Sequence, residues 1–263
     1  DDELLKTENT QPSILATSIA ILRVLQNEGF SCDFTAGLSL GEYSALVNTE
    51  AIKFCDAVKL VRNRGVYMQQ AVPIGIGKMC AIIGLHKEKI SELIKQLKDD
   101  GLIEVANYNT SEQIVLSGEA QVIKNAVKLA KEYGAKKALL LPVSAPFHCS
   151  LLAPAGEMLR VDLASIEFTT PKIPLISNVD AKVINEKDQI TSSLVRQVSN
   201  SVLWKDSIEL MISKGVRIFV EIGPGTVLSN FVNSIAAECK VSVVSISVGD
   251  LSGLKLVGEI IDK

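Results

Sequence analysis

Aromatic residues are scarce in this chain: they make up 5% of its 263 residues, with a single tryptophan, Trp204. Histidine is scarcer, with only His86 and His148, so few side chains are available as a neutral-pH general base. Basic residues are not in excess. The formal net charge is -3, which argues against nucleic-acid binding, because such binders carry a basic face. No apolar run reaches the roughly 20 residues that cross a membrane. Residues 1–10 (DDELLKTENT) are acidic and polar, unlike a signal peptide. The five cysteines are Cys32, Cys55, Cys80, Cys149 and Cys239. They are odd in number and contain no C-x-x-C pair, which excludes a disulfide frame and a zinc ribbon. They read as reduced thiols in a cytoplasmic protein, with no metal site.

What remains is the composition of a globular chain with a sizeable core, 47% hydrophobic and 22% charged. An apolar helical pattern begins at Gln11, with Ile14, Leu15, Ser18, Ile19, Leu22 and Leu25, and predicts a helix over 11–29. A second helix is predicted over 51–72, followed by a break at Gly75 and Gly77. Next come a strand (79–85), a helix (86–98), two strands (103–108 and 113–117), a helix (120–133) and a strand (138–143). That order, β-α-β-β-α-β, is the ferredoxin-like arrangement. Residues 78–143 are therefore expected to form a small domain inserted into a main domain of residues 1–77 and 144–263. After it, a strand at 173–177, helices at 190–198 and 204–214, a strand at 217–221, a Gly223-Pro224-Gly225 turn, a helix at 227–237 and a strand at 241–247 alternate. Such alternation implies an α/β core with a parallel sheet flanked by helices.

Residues 37–43, Gly-Leu-Ser-Leu-Gly-Glu-Tyr, fit G-x-S-x-G, the elbow that presents a serine on a sharp strand-to-helix turn. Ser39 would stand at a helix N-terminus, where free N–H groups favour developing negative charge. A serine nucleophile needs a base. His86 sits among Lys87, Glu88 and Lys89 and reads as a solvated or capping residue. His148, in Val-Ser-Ala-Pro-Phe-His-Cys-Ser, follows the inserted domain at a domain junction, a usual place for a cleft. A packed core histidine is the alternative there; the pairing with Ser39 is preferred for want of another base. No Asp or Glu stands out to orient it, so the acceptor is expected to be a backbone carbonyl. Arg64 lies on an apolar helix stripe with Ala57, Leu60, Val61, Tyr67, Met68 and Ala71, whereas Arg62 looks solvated. A buried guanidinium serves either an internal ion pair or a substrate carboxylate.

These residues, with Ser177-Asn178-Val179, Arg196-Gln197, Val202-Leu203-Trp204 and Glu221 to Gly225, stand in the order found in malonyl-CoA:acyl-carrier-protein transacylases. From Gln11 onward the chain resembles that family. The resemblance implies a hydrolase-like α/β core with a ferredoxin-like insert. It implies a malonyl ester on Ser39, His148 as base, the Leu40 N–H as half of an oxyanion hole, and the Gln197 carbonyl as the acceptor that orients His148. Arg64 would hold the malonyl carboxylate. Phe147 resembles the malonyl-selecting version of its motif, and Gln11, Asn107, Gln113 and Asn178 match positions near the site. The implied partners are malonyl-CoA and an acidic acyl carrier protein, docked by basic residues such as Lys136 and Lys137. No cofactor, membrane or nucleic acid is expected, and a free-standing monomer of fatty-acid synthesis is the implied form. Leu38 departs from the family's usual histidine. The family also opens with a strand and a Phe-Pro-Gly-Gln-Gly segment, whose glutamine is the second oxyanion donor. Residues 1–10 do not match it, so the native protein is expected to carry it. The rival readings are a serine hydrolase and a non-catalytic carrier-binding module.

Overall fold

The computed structural model describes residues 2–143 and 145–261. It opens with a short helix α1 (Asp2–Leu5) and a long one, α2 (Thr7–Asn27). The elbow feeds α3 (Gly41–Asn48), and α4 (Phe54–Ala71) follows. Helix α2 starts four residues before the expected Gln11. Pro12 hid the start, because a proline inside a helix removes one N–H and crowds the carbonyl four residues back. That carbonyl belongs to Glu8, and it accepts from Arg62 Nη1 at 3.3 Å. Arg62 is exposed, as expected, but it also repairs the helix. Leu15, Ile19, Leu22 and Leu25 are buried at helical spacing, while Ile14 is exposed against expectation. Helix α4 lies against α2 so closely that a Cβ on Gly65 would sit 2.5 Å from Glu8 Cα.

The chain then builds β1 (Gly77–Ile83), α5 (Lys87–Leu97), β2 (Ile103–Tyr108), β3 (Gln113–Glu119), α6 (Ala120–Glu132) and β4 (Lys137–Leu140). The four strands form one antiparallel sheet in the order β2-β3-β1-β4. The two-residue period sorts its faces. Cys80, Ile82, Ile114 and Leu116 pack with Ile90 and Leu93 of α5 and Ile123 and Ala126 of α6. Each such aliphatic side chain contributes about 1.5–3 kcal/mol on full burial. Met79, Ala81, Ala106 and Val115 face the other way and meet Phe147, next to the candidate base. This second face sets where His148 stands.

The remaining chain forms α7 (Ala153–Ala164), β5 (Leu175–Ile176), β6 (Val183–Ile184), α8 (Asp188–Ser199), α9 (Trp204–Ser213), β7 (Ile218–Ile222), α10 (Val227–Glu238), β8 (Val244–Val248) and α11 (Leu251–Ile261). The sequence reading did not anticipate α7, β6 or α11. Helix α11 puts Leu254 and Val257 against β8 and Leu25. The expected parallel sheet is present only in pieces among the described residues. β7 and β8 pair in parallel over five positions, Thr35 bridges Leu175 in parallel, and β5 with β6 is an antiparallel pair. Between the segment that leads into the elbow (residues 34–38) and β7 lies a cavity of about 820 Å³, lined by Phe34, Leu38, Trp204, Val220 and Ile222 among others. Among the described residues no helix is long and apolar enough to cross a membrane.

Candidate active site

The elbow is tight at Gly37, whereas a Cβ on Gly41 would meet nothing within 4 Å. A Cβ on Gly37 would fall 2.0 Å from the Gly41 carbonyl carbon, so no side chain is possible there. Ser39 takes φ 53°, in the left-handed region that costs a non-glycine residue energy and persists only where surroundings impose it. Asn178 is what imposes it. Its Oδ1 accepts from the Ser39 N–H at 2.6 Å, and its Nδ2 donates to the Gly37 carbonyl at 2.7 Å. One side chain from the loop after β5 thus bridges the turn. The Leu40 N–H, at the mouth of α3, makes no hydrogen bond among the described residues and remains free to donate.

The Ser39 Oγ lies 2.7 Å from His148 Nε2. The His148 Nδ1 lies 2.8 Å from the Gln197 carbonyl, which can only accept. Nδ1 therefore carries the proton, and neutral Nε2 accepts from the serine hydroxyl. Gln197 sits near the C-terminal end of α8, where the last carbonyls lack partners within the helix. His148 itself is 4% exposed. Burial and the nearby Arg64 charge push its pKa down to about 4, against the opposing hydrogen bond to Gln197. It is accordingly a neutral base at pH 7. Ser144, in the same motif, lies outside the described residues.

Arg64 comes in from α4 and is 2% exposed. Its Nη1 donates to Gln11 Oε1 at 2.7 Å, and Nη2 donates to Ser39 Oγ and Gln197 Oε1, each at 3.0 Å. The guanidinium also lies 5.5 Å from the centroid of the Tyr43 ring. All of these partners are neutral, and Nε has no partner among the described residues. A buried cation without a directly bonded carboxylate is costly in isolation and is well placed to receive an anion. Burial depresses its pKa from the ordinary arginine value.

The other expected residues are held by different partners. Asn107 is buried at the end of β2, bridged to Val202. The Gln113 carbonyl, at the start of β3, accepts from Asn109 and Thr110. No hydrogen bond joins either to Ser39, His148 or Arg64 among the described residues. Lys136 pairs with Glu112 at 2.7 Å on the surface, and Lys137 is exposed at the start of β4. His86 is exposed at the mouth of α5.

Two features were not read from the sequence. The first is the Gln197 side chain, which binds Arg64 as well as the elbow: its Nε2 donates to the Ser39 carbonyl at 3.0 Å. The second is Glu42, fully buried on α3. Its Oε2 accepts from Gln197 Nε2 at 2.7 Å and from the Asn178 N–H at 3.2 Å. Burial raises its pKa to about 7, despite these hydrogen bonds and the charge of Arg64. A charge three residues after the nucleophile, on a short helix otherwise apolar around it, was the available signal. Among the described residues no cluster of His, Cys, Asp and Glu suits a metal ion.

Residues 1–260 match the family model described as "Acyl transferase domain". The chain is 45% identical over 245 residues to a Bacillus subtilis (strain 168) protein named malonyl CoA-acyl carrier protein transacylase, covering 93% of this chain and 77% of that one. Among solved structures it resembles the malonyl CoA-acyl carrier protein transacylase of Clostridium perfringens ATCC 13124, at 44% identity and TM-score 0.94, over 99% of this chain and 81% of that one. It also resembles a malonyl-transacylase solved with its type II PKS acyl-carrier protein, at 41% identity and TM-score 0.95, over 98% and 83% of the two chains.

Proposed function

The chain belongs to the family of acyl transferase domains, and on that premise we propose that it moves a malonyl group from coenzyme A to the phosphopantetheine thiol of an acyl carrier protein. The observation that carries this reading is the placement of Ser39 Oγ, 2.7 Å from His148 Nε2 and 3.0 Å from Arg64 Nη2. A nucleophile and base beside a buried anion receptor suit a substrate that carries a carboxylate close to its reacting carbonyl.

In the first half-reaction His148 Nε2 takes the serine proton as Oγ attacks the thioester carbonyl. The Leu40 N–H faces the developing oxyanion, and Arg64 holds the malonyl carboxylate. Collapse expels the coenzyme A thiolate, which takes the proton from His148. In the second half-reaction His148 takes a proton from the carrier thiol, whose sulfur attacks the Ser39 ester; as the C–Oγ bond breaks, His148 returns that proton to Ser39 Oγ. Each half-reaction exchanges an acyl bond with no change of oxidation state, so the chemistry calls on no redox cofactor. The Gln197 carbonyl keeps Nδ1 protonated throughout. Phe147, packed beside His148, narrows the space for a branched acyl group. Asn178 holds the elbow, and Gln11 holds Arg64.

We read residues 78–143 as a ferredoxin-like insert in a hydrolase-like core formed by residues 1–77 and 144–263. The order β2-β3-β1-β4 with two helices on one face supports the first half of that reading. The parallel β7–β8 pair and the elbow support the second. The five free cysteines suit a reducing, cytoplasmic setting.

The decisive experiment mixes the protein with malonyl-CoA, quenches in acid and measures intact mass and the modified peptide. The expected result is a malonyl adduct on Ser39, absent in Ser39→Ala and discharged by holo carrier protein. Discharge by water without the carrier would favour a hydrolase, and absence of any adduct would favour a binding module.

A further inference from the structure

Among the described residues no acid is bonded to the site's histidine, yet a carboxyl group is buried only one side chain away. The Gln197 amide lies between a guanidinium and a carboxyl group. Arg64 Nη2 donates to its Oε1, and its Nε2 donates to Glu42 Oε2. This polarity lets the amide sit only one way round, because a flipped amide would point N–H groups at a guanidinium and oxygen at a carboxylate. The same Nε2 also reaches the Ser39 carbonyl. Glu42 Oε2 in turn accepts from the Asn178 N–H, and the Asn178 side chain clasps the elbow turn. One carboxylate oxygen therefore ties together the residue that orients the base, the residue that shapes the nucleophile's turn and, through Gln197, the guanidinium.

The geometry points to Glu42 as a positioning residue for acyl transfer: acting through Gln197, its Oε2 keeps the His148 acceptor and the Arg64 guanidinium in register with Ser39. This rests on the reading of Ser39, His148 and Arg64 given above. Glu42 does the orienting work of a third triad member at one remove, touching neither substrate nor histidine. What matters is an acceptor at that point in space. The other oxygen, Oε1, makes no hydrogen bond among the described residues, so the contacts to Gln197 and Asn178 both fall on Oε2.

Reach and charge can be separated by two variants. Glu42→Gln keeps an acceptor oxygen at the same reach and loses the charge; the Gln197 and Asn178 donors select the oxygen over the amide nitrogen. Glu42→Asp keeps the charge and withdraws the acceptor by one methylene. The measurement is the single-turnover rate of Ser39 acylation by malonyl-CoA and by acetyl-CoA, alongside the melting temperature. E42Q is expected to stay within about threefold of the parent, and E42D to slow with both acyl donors by roughly 10- to 100-fold, by analogy with the loss of outer-shell partners that orient metal-bound histidines. Gln197→Ala is expected to slow the reaction to a similar degree, and E42D with Q197A to be no slower than Q197A alone. Rescue by Gln but not by Asp is an outcome that general destabilisation does not produce. A folded E42D at the parent rate, an E42Q as slow as E42D, or losses that multiply in the double variant would each overturn the proposal. Failure of the parent protein itself to form a malonyl-Ser39 adduct would instead overturn the underlying reading.

Discussion

The two halves of this molecule reach stability differently. In the four-stranded unit of residues 77–140, every strand is hydrogen-bonded into one sheet, and its apolar face is closed by two helices. Its contacts join elements near each other in sequence. The larger region carries Ser39, His148, Arg64 and the side chains bonded to them, and its strands stand in separate pairs, of which β7–β8 borders a cavity of about 820 Å³. There β7 is not buried as a strand inside a parallel sheet ordinarily is; Ile218 is 50% exposed. Polar groups fill the middle of this region: Arg64, Glu42, Gln197, Asn178 and Gln11 are all at least nine-tenths buried. The small unit closes one apolar face with its own helices, while the large region holds groups whose burial is expensive and whose arrangement serves chemistry.

The strongest way to break this contrast is to damage the small unit. Leu116→Ala removes a fully buried side chain at the centre of the small unit's core, and is expected to cost about 2–5 kcal/mol. Hydrogen exchange should show the loss in β1 to β4, with the amides of α2 and α4 little changed. Equal loss in both regions would mean that they unfold as one cooperative unit.

The second test removes an expensive group. Arg64→Met keeps much of the volume and discards the charge. Transfer of malonyl is expected to fall by roughly 10- to 100-fold, the value of a charge-assisted pair of about 1.5–3 kcal/mol. Transfer of acetyl should be spared, and the melting temperature should hold or rise. A parallel fall for both acyl groups would count against a carboxylate clamp.

A third test sharpens the contrast by pH. The pKa of His148 drops from 6.5 to about 4 on folding, so its contribution to stability is present above 6.5 and lost as pH falls towards 4. For Glu42 it rises from 4.5 to about 7, so its contribution is present below 4.5 and lost as pH rises through 7. Between about 4.5 and 6.5 the two slopes oppose each other and nearly cancel. Glu42→Gln removes one of them, so stability should then rise by about 1.4 kcal/mol per pH unit relative to the parent over that window. Urea midpoints at several pH values measure it; an unchanged slope would show that Glu42 titrates alike in the folded and unfolded chain.

The sequence made the small unit and the elbow readable for related reasons. Alternation in β1 and β3 and the apolar stripes of α5 and α6 are local patterns, and Gly37 and Gly41 mark a turn that only glycine at 37 permits. Ser39, His148 and Arg64 were legible because each is unusual for its surroundings. The reading faltered where partners come from far along the chain. Pro12 disguised the start of α2, since its repair by Arg62 is supplied from α4. Whether Glu42 faces water or Gln197 depends on a residue 155 positions away. The two-residue strands β5 and β6 are too short to leave a period.

Trp204 gives the cavity a further meaning. It is the chain's only tryptophan, 3% exposed, and it lines the cavity wall in the larger region. Its indole N–H has no hydrogen-bond partner among the described residues. Intrinsic emission excited at the red edge of the ultraviolet band therefore comes from one address. A fluorescence melt will follow the large region and stay blind to the small unit. Far-ultraviolet circular dichroism registers both, so any interval between the two curves is a direct optical reading of how far the halves part company.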